Sequence, residues 1–362
     1  MAYPQLTLSA LQVQKYLQKT GDFLHLTRSH ELSMATASFE VVCIKKQSKA
    51  KVSILGTGII LFEPILHTST KDIVLSSAIH GNETAPIEIC NELIKKLTLG
   101  ELHLENRTLF LFGNPPAINI GQRFVDENLN QLFSGAHSKD QGQESGLMNK
   151  ERHRALLLEE AVANFFHQDH VERFHYDLHT AIRASRNEKF AIYPFINNKP
   201  WDKKQLQFLL ACGVNTILFS NSPTTSFSYY SANSFSAHSF TIELGKVKPF
   251  GENKMEKFLD IKLNLQSLVS GRPLSLIKYN KDDFNFFEIE QRINRHHQDF
   301  SFHFSDKVEN FTNFPIGTVI ATDGEQAIKI KKAGEAIIFP NANVTIGQRA
   351  LLTVIPVEIN PK

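Results

Sequence analysis

The chain has 362 residues, 42% of them hydrophobic, enough apolar surface for one large core with a smaller one beside it. Its 39 lysines and arginines nearly balance 37 acidic residues, for a net charge of +2, and no basic block interleaved with aromatics suggests a nucleic-acid surface. No run of about eighteen uncharged apolar residues occurs, the start Met1-Ala2-Tyr3-Pro4-Gln5 has no basic region leading into an apolar core, and the three scattered cysteines, Cys43, Cys90 and Cys212, fit neither a disulfide framework nor a cysteine metal site; a cytoplasmic chain with no nucleic-acid and no membrane partner is expected, of unassigned oligomeric state.

A short helix is predicted around Leu11 to Leu17, followed by strand-like residues ending at Phe39-Glu40-Val41-Val42-Cys43-Ile44. From Val52 to about Phe250, apolar strand-like runs alternate with helical patterns. Ile73-Val74-Leu75 reads as a buried strand. The helix after it takes Thr84 as N-cap and Pro86 in its first turn, repeats Ile87, Cys90, Ile94 and Leu97 on one face, and stops at Gly100. A strand at Thr108 to Phe112 and a helix near Leu156 to Phe166 follow, then strands at Tyr176 to His179, Phe190 to Tyr193, Thr216 to Phe219 and Phe240 to Glu243. This alternation predicts an α/β domain with a mainly parallel or mixed sheet. Ser222 to Ser239, rich in Ser, Thr, Tyr and Asn, reads as a long loop, either an active-site lid or plain surface. After a helical stretch at Phe258 to Leu268, short strands and turns at Ser301 to Phe304, Thr318 to Ala321 and Ala350 to Val357 suggest a second, β-rich domain. The expected division is residues 1–271 and 272–362.

Chemistry concentrates in the loop Ala78-Ile79-His80-Gly81-Asn82-Glu83 and in Asp177-Leu178-His179. His80 and Glu83 can reach one metal from a single turn, and His179 must come from another strand. Two histidines and a carboxylate leave a tetrahedral zinc one open position, the layout of a catalytic site. A lone His-x-x-Glu is usually a surface pair. Here it sits between a buried strand and a helix, where open α/β sheets build their active sites. Asp177 and His179, two apart on a strand, share a face, so Asp177 either orients the ligand or is a buried structural aspartate. Glu243 closes an apolar strand in Phe240-Thr241-Ile242-Glu243-Leu244-Gly245 and is a candidate proton acceptor. Arg123 is a candidate to stabilise an oxyanion, or a surface ion pair. The spacings His167/His170 and His296-His297 read as solvated histidines.

Taken in order, His80-Gly81-Asn82-Glu83-Thr84-Ala85-Pro86, Gly113-Asn114-Pro115-Pro116-Ala117, Arg123-Phe124-Val125 with Asn128 to Phe133, Asp177 to Arg183, and Phe240 to Val247 resemble the zinc carboxypeptidase-like amidohydrolases, within them the succinylglutamate desuccinylase and aspartoacylase branch. The resemblance implies a mixed-sheet α/β catalytic domain of carboxypeptidase type over residues 1–271 and a smaller β-rich C-terminal domain over 272–362. It implies one zinc ion on His80, Glu83 and His179, Glu243 as general base and then acid, and Arg123 polarising the scissile carbonyl. Asn130 would face a substrate carboxylate. The family commonly ends its Asp-Leu-Asn-Arg signature in arginine, where this chain has Asn128-Leu129-Asn130-Gln131. Gln131 supplies no guanidinium fork, and Arg183, Arg186, Lys246 and Lys248 are placed in sequence to compensate.

The implied substrate is a small acyl-amino acid, and the implied reaction is hydrolysis of N-succinyl-L-glutamate to succinate and glutamate, the last step of a succinyl-dependent breakdown of arginine. Alternatives within the enzyme class are an aspartoacylase-like deacylase or a carboxypeptidase. Outside it stands a zinc- or metabolite-binding protein without turnover, against which the presence of Glu243 argues.

Overall fold

The computed structural model describes residues 8–139, 148–167, 171–197 and 200–362. His170, one of the paired histidines above, lies outside the described residues, as does the start of the chain through residue 7.

Ser9 opens helix α1 (Ala10–Thr20) through a capping box with Gln12, and Gly21, at a left-handed φ of 66°, closes it. Helix α2 (Phe23–Ser29) follows at once, and together they bury Val13, Leu17, Phe23 and Leu26. Strands β1 (Ala37–Cys43), β2 (Ser48–Gly56) and β3 (Ile59–Pro64) form an antiparallel meander.

The central unit is β4 (Lys71–Ser77), α3 (Thr84–Thr98), β5 (Arg107–Phe112), α4 (Pro115–Ile120), α5 (Lys150–Phe165) and β6 (Glu172–Ala181). It continues through β7 (Phe190–Tyr193), α6 (Lys203–Ala211), β8 (Thr216–Phe219), α7 (Phe227–Phe235), β9 (His238–Lys246) and α8 (Leu259–Ser270). β5, β4, β6 and β9 lie side by side and parallel, with β7 antiparallel to β9 and parallel to β8. Every residue of β5 is buried, as are the last eight of β6. Unbroken burial is what a parallel strand covered on both faces requires. The sheet is mixed, and the carboxyl ends of β4, β6 and β9 adjoin.

The tail supplies β10 (Asn285–Asn294), β11 (Ser301–Phe302), β12 (Thr312–Asn313), β13 (Val319–Asp323), β14 (Gln326–Lys329), β15 (Ala336–Ile338) and β16 (Arg349–Pro356). It is β-rich, and its first strand runs parallel to β8, pairing Asn285 with Thr216 through Glu288 with Phe219. The tail therefore extends the sheet of the larger unit. Its core includes Phe190 and Leu218 from that unit beside Ile289, Phe311 and Ile338. Among the described residues, no helix is long and apolar enough to cross a membrane.

Two local expectations need correction. Ser222 to Ser239 is not one long loop: Ser226 caps α7 by accepting from the Tyr229 amide, and Phe227 and Tyr229 are buried. Ser228 and Ser231 point inward, to Thr241 at 2.8 Å and to His175 at 2.7 Å, so a buried hydrogen-bonded face mimicked loop polarity. Thr84 is not the N-cap of α3 but its first residue; Glu83 holds the cap position without capping, because its carboxylate is turned to the histidines. The Thr84 hydroxyl instead donates to the Lys248 carbonyl at 2.7 Å.

Candidate metal centre and active site

The ligand loop leaves the end of β4 through Ala78, a non-glycine residue at φ 58°. Such a left-handed residue costs on the order of 1–2 kcal/mol, and here the Asn114 amide holds the Ala78 carbonyl at 2.7 Å. Gly81 then passes so close to α4 that an added Cβ would lie 2.1 Å from the Ala117 carbonyl carbon. Only a residue without a side chain lets the loop turn there.

This route brings His80 and Glu83 to His179, at the end of β6. All three are at most 2% exposed, and one ligand atom from each lies within 4.8 Å of the others. Nδ1 of His80 and Nδ1 of His179 stand 2.8 and 2.9 Å from the two oxygens of Glu83. Their outer nitrogens are also engaged. Nε2 of His179 lies 2.9 Å from Asp177 Oδ2, a carboxylate that can only accept when ionised. Nε2 of His80 lies 2.9 Å from Asn128 Oδ1. Each ring thus turns its Nδ1 toward the Glu83 carboxylate and its other nitrogen toward an outer acceptor. A cation among the three stabilises that arrangement, and outer-shell carboxylate and amide partners are the usual orienters of metal-binding histidines. The donor set fits a divalent ion.

Electrostatics follow the same geometry. Burial, then the Arg123 charge, pushes His80 down to about 4. Burial opposes charge on His179, yet Asp177 and Glu83 on either side hold it well above the usual histidine value. Burial likewise opposes ionisation of Glu83, and the two histidines overcome it, holding its carboxyl well below the usual range. Glu83 accepts further bonds from Arg123 Nη1 at 2.7 Å and the Thr180 amide at 3.0 Å.

Asp177 leads deeper. Its other oxygen accepts from the Ser76 hydroxyl at 2.6 Å, and Ser76 Oγ also meets His175 Nε2 at 2.7 Å. Ser76 on β4 is the register partner of Asp177 on β6, so strand pairing, which no local spacing reveals, completes the support of His179.

Arg123 and Asn128 share a loop that Glu151 of α5 fastens. This buried carboxylate accepts from the amides of Val125 and Asp126 at 2.7 and 3.2 Å and from the Asn114 side chain at 3.0 Å. Glu151 had no distinguishing mark in the sequence; Asn128 lay in a quoted segment without a role.

Glu243 stands on β9 as the register partner of His179 and is 7% exposed. Burial, reinforced by the Glu83 charge, pushes it up to about 7. Its Oε2 is buried without a hydrogen-bond partner. A carboxyl with one idle oxygen and a pKa near neutrality can take up and return a proton.

The remaining sequence candidates lie elsewhere in the bonding pattern. Asn130 Oδ1 accepts from the Phe227 amide at 3.2 Å, joining the loop to α7. Arg183 Nη1 donates to the carbonyls of Asp306 and Val308 at 2.5 and 2.8 Å, holding the tail. Arg186 and Lys246 are exposed. His167, in the turn after α5, bonds the Asn164 carbonyl of that helix, and the amides of His296 and His297 donate to Asp323.

Similarity to known proteins agrees with this architecture. A family model described as the succinylglutamate desuccinylase/aspartoacylase catalytic domain matches residues 69–269, and one described as the AstE/AspA barrel-sandwich hybrid domain matches residues 282–357. The chain is 48% identical over 357 residues to a succinylglutamate desuccinylase of Pseudoalteromonas atlantica, covering 98% of this chain and 99% of that one. It is 48% identical over 338 residues to a succinylglutamate desuccinylase of Shewanella pealeana, covering 93% and 96%. Among solved structures, a succinylglutamate desuccinylase from Vibrio cholerae superposes with a TM-score of 0.83 at 31% identity, covering 94% of this chain and 96% of that one. The chain belongs to the succinylglutamate desuccinylase/aspartoacylase family.

Proposed function

We propose that this chain hydrolyses the amide bond of N-succinyl-L-glutamate, releasing succinate and L-glutamate, with one zinc ion on His80, Glu83 and His179. The observation that carries the reading is the convergence of these three buried groups, with Glu243 as the strand partner of one of them, in a chain whose full-length relatives are desuccinylases. Bound there, a divalent ion supplies Lewis acidity and lowers the pKa of water.

The protein's own groups do the rest. Glu243, held near neutrality, accepts the proton of the attacking water and delivers it to the departing glutamate nitrogen. Arg123, whose guanidinium is partly open at the rim, donates to the carbonyl oxygen as charge builds there. Asp177 and Asn128 fix the histidine rings, and Glu151 fixes the loop that carries Arg123 and Asn128. We assign catalysis to residues 1–271 and a supporting role to residues 272–362. The compartment in this reading is the cytoplasm, in keeping with three cysteines that are all free and buried.

The test is amine release from N-succinylglutamate, N-acetylaspartate and a dipeptide, each with and without a chelator. Preference for the first, abolished by chelation, is expected. Preference for N-acetylaspartate or the dipeptide overturns the substrate assignment, and no cleavage of any of them favours a binding protein.

A further inference from the structure

Residues of the tail pack against Phe190, on the strand beside Glu243. Glu243 on β9 pairs with Phe190 on the antiparallel β7, so their side chains share a face. The Phe190 ring packs on Phe339 with centroids 5.7 Å apart, and the Arg349 guanidinium carbon lies 5.7 Å from the Phe339 ring centre. A continuous series of side chains thus runs from the catalytic carboxylate to an arginine of β16.

Arg349 is not alone there. On the neighbouring strand β10, Arg292 donates to the Ser222 hydroxyl at 3.2 Å, just beyond the carboxyl end of β8. Burial, followed by the like charges of Arg292 and then Arg123, pushes Arg349 down to about 10, so both of those guanidiniums lie within electrostatic reach of Arg349. Among the described residues, only Arg123 of the three has a carboxylate partner, Glu83. Arg349 Nε is buried with no hydrogen-bond partner. A guanidinium with a buried, unpartnered nitrogen beside a second arginine that also lacks a counter-ion is stabilised by an anion from outside.

We propose that Arg349, with Arg292 beside it, binds a carboxylate of the acyl-amino-acid substrate, so that the tail supplies the cationic subsite for which the Gln131 position has no guanidinium. A guanidinium fork matches a carboxylate in bidentate geometry. The inference rests on the hydrolase reading above, and the substrate of that reading carries three carboxylates, of which the metal centre accounts for none.

The experiment compares wild type, Arg349→Gln, Arg349→Lys and Arg292→Gln on N-succinylglutamate and two analogues, one with the glutamate side-chain carboxylate amidated and one with the succinyl carboxylate replaced by methyl. In Arg349→Gln, KM for N-succinylglutamate rises about 10-fold or more, while kcat and metal content change little. Its discrimination against one of the two analogues collapses, identifying the carboxylate held, and Arg349→Lys recovers part of the loss. An unchanged KM, or an equal rise for all three compounds, overturns the proposal. Should Arg349→Gln fail to fold, Arg292→Gln carries the test with the same pattern. If wild type prefers another acyl-amino acid, the substrate assignment fails, and the subsite is judged on that compound, whose KM must rise in the same way.

Discussion

His179 and Glu243 face each other as register partners on adjacent parallel strands, β6 and β9. A metal-ligand candidate and the proposed proton carrier are thereby fixed by backbone hydrogen bonds about 4.8 Å apart in strand spacing, independent of any loop. His80, Glu83 and Arg123 arrive instead on loops, each pinned by contacts of its own. The sheet sets one side of the reaction and the loops are brought to it.

Glu243→Gln keeps the shape of this pairing and removes the exchangeable proton. Turnover is expected to fall by about 10²- to 10⁴-fold, with metal content unchanged by elemental analysis. Near-normal turnover in the variant would remove Glu243 from the mechanism.

The raised value of Glu243 sets a direction for pH. Below about 7 the buried carboxyl is protonated and cannot accept from water; above it the base form is present. kcat/KM should therefore climb as pH rises toward neutrality, with its lower limb near 7, or below it once a bound cation draws the value down. Activity that stays flat to pH 5 is inconsistent with this role.

Asp177→Asn keeps the size of the group but takes away the charge that holds the outer proton of His179. Metal affinity is expected to drop about 10- to 100-fold, read by competition with a chromogenic chelator. Unchanged affinity would leave Asp177 as a structural aspartate only.

Gly81→Ala tests the ligand loop without touching a ligand. The new Cβ meets backbone of Ala117 and Ile118, at 2.1 and 2.3 Å, and backbone has little room to give. Loss of both metal and activity is expected while far-ultraviolet circular dichroism stays near that of wild type; full metal binding would show that the loop can shift at no cost.

Much of this was legible in the residues. The central strands announced themselves because strands covered on both faces exclude polar residues, as in Ile73 to Leu75 and Thr108 to Phe112. The pair His80 and Glu83 stood out because one turn holds both. Helix α7 was hidden, since serines that bond inward read like serines in solvent. Ser76, Glu151 and Arg349 were silent for another reason. Their importance comes from partners distant in the chain, brought near by strand pairing or domain docking, and nothing in their local spacing differs from an ordinary buried or surface residue.

Metal titration tests the central claim most directly. The chelated protein is titrated with zinc while glutamate release from N-succinylglutamate and bound metal are followed together, in wild type and in His80→Ala. One equivalent of zinc should restore full activity to wild type, and His80→Ala should retain neither metal nor turnover. Full activity without metal, or a complete equivalent tightly bound to the His80 variant, would contradict the assignment of His80, Glu83 and His179 as the metal centre.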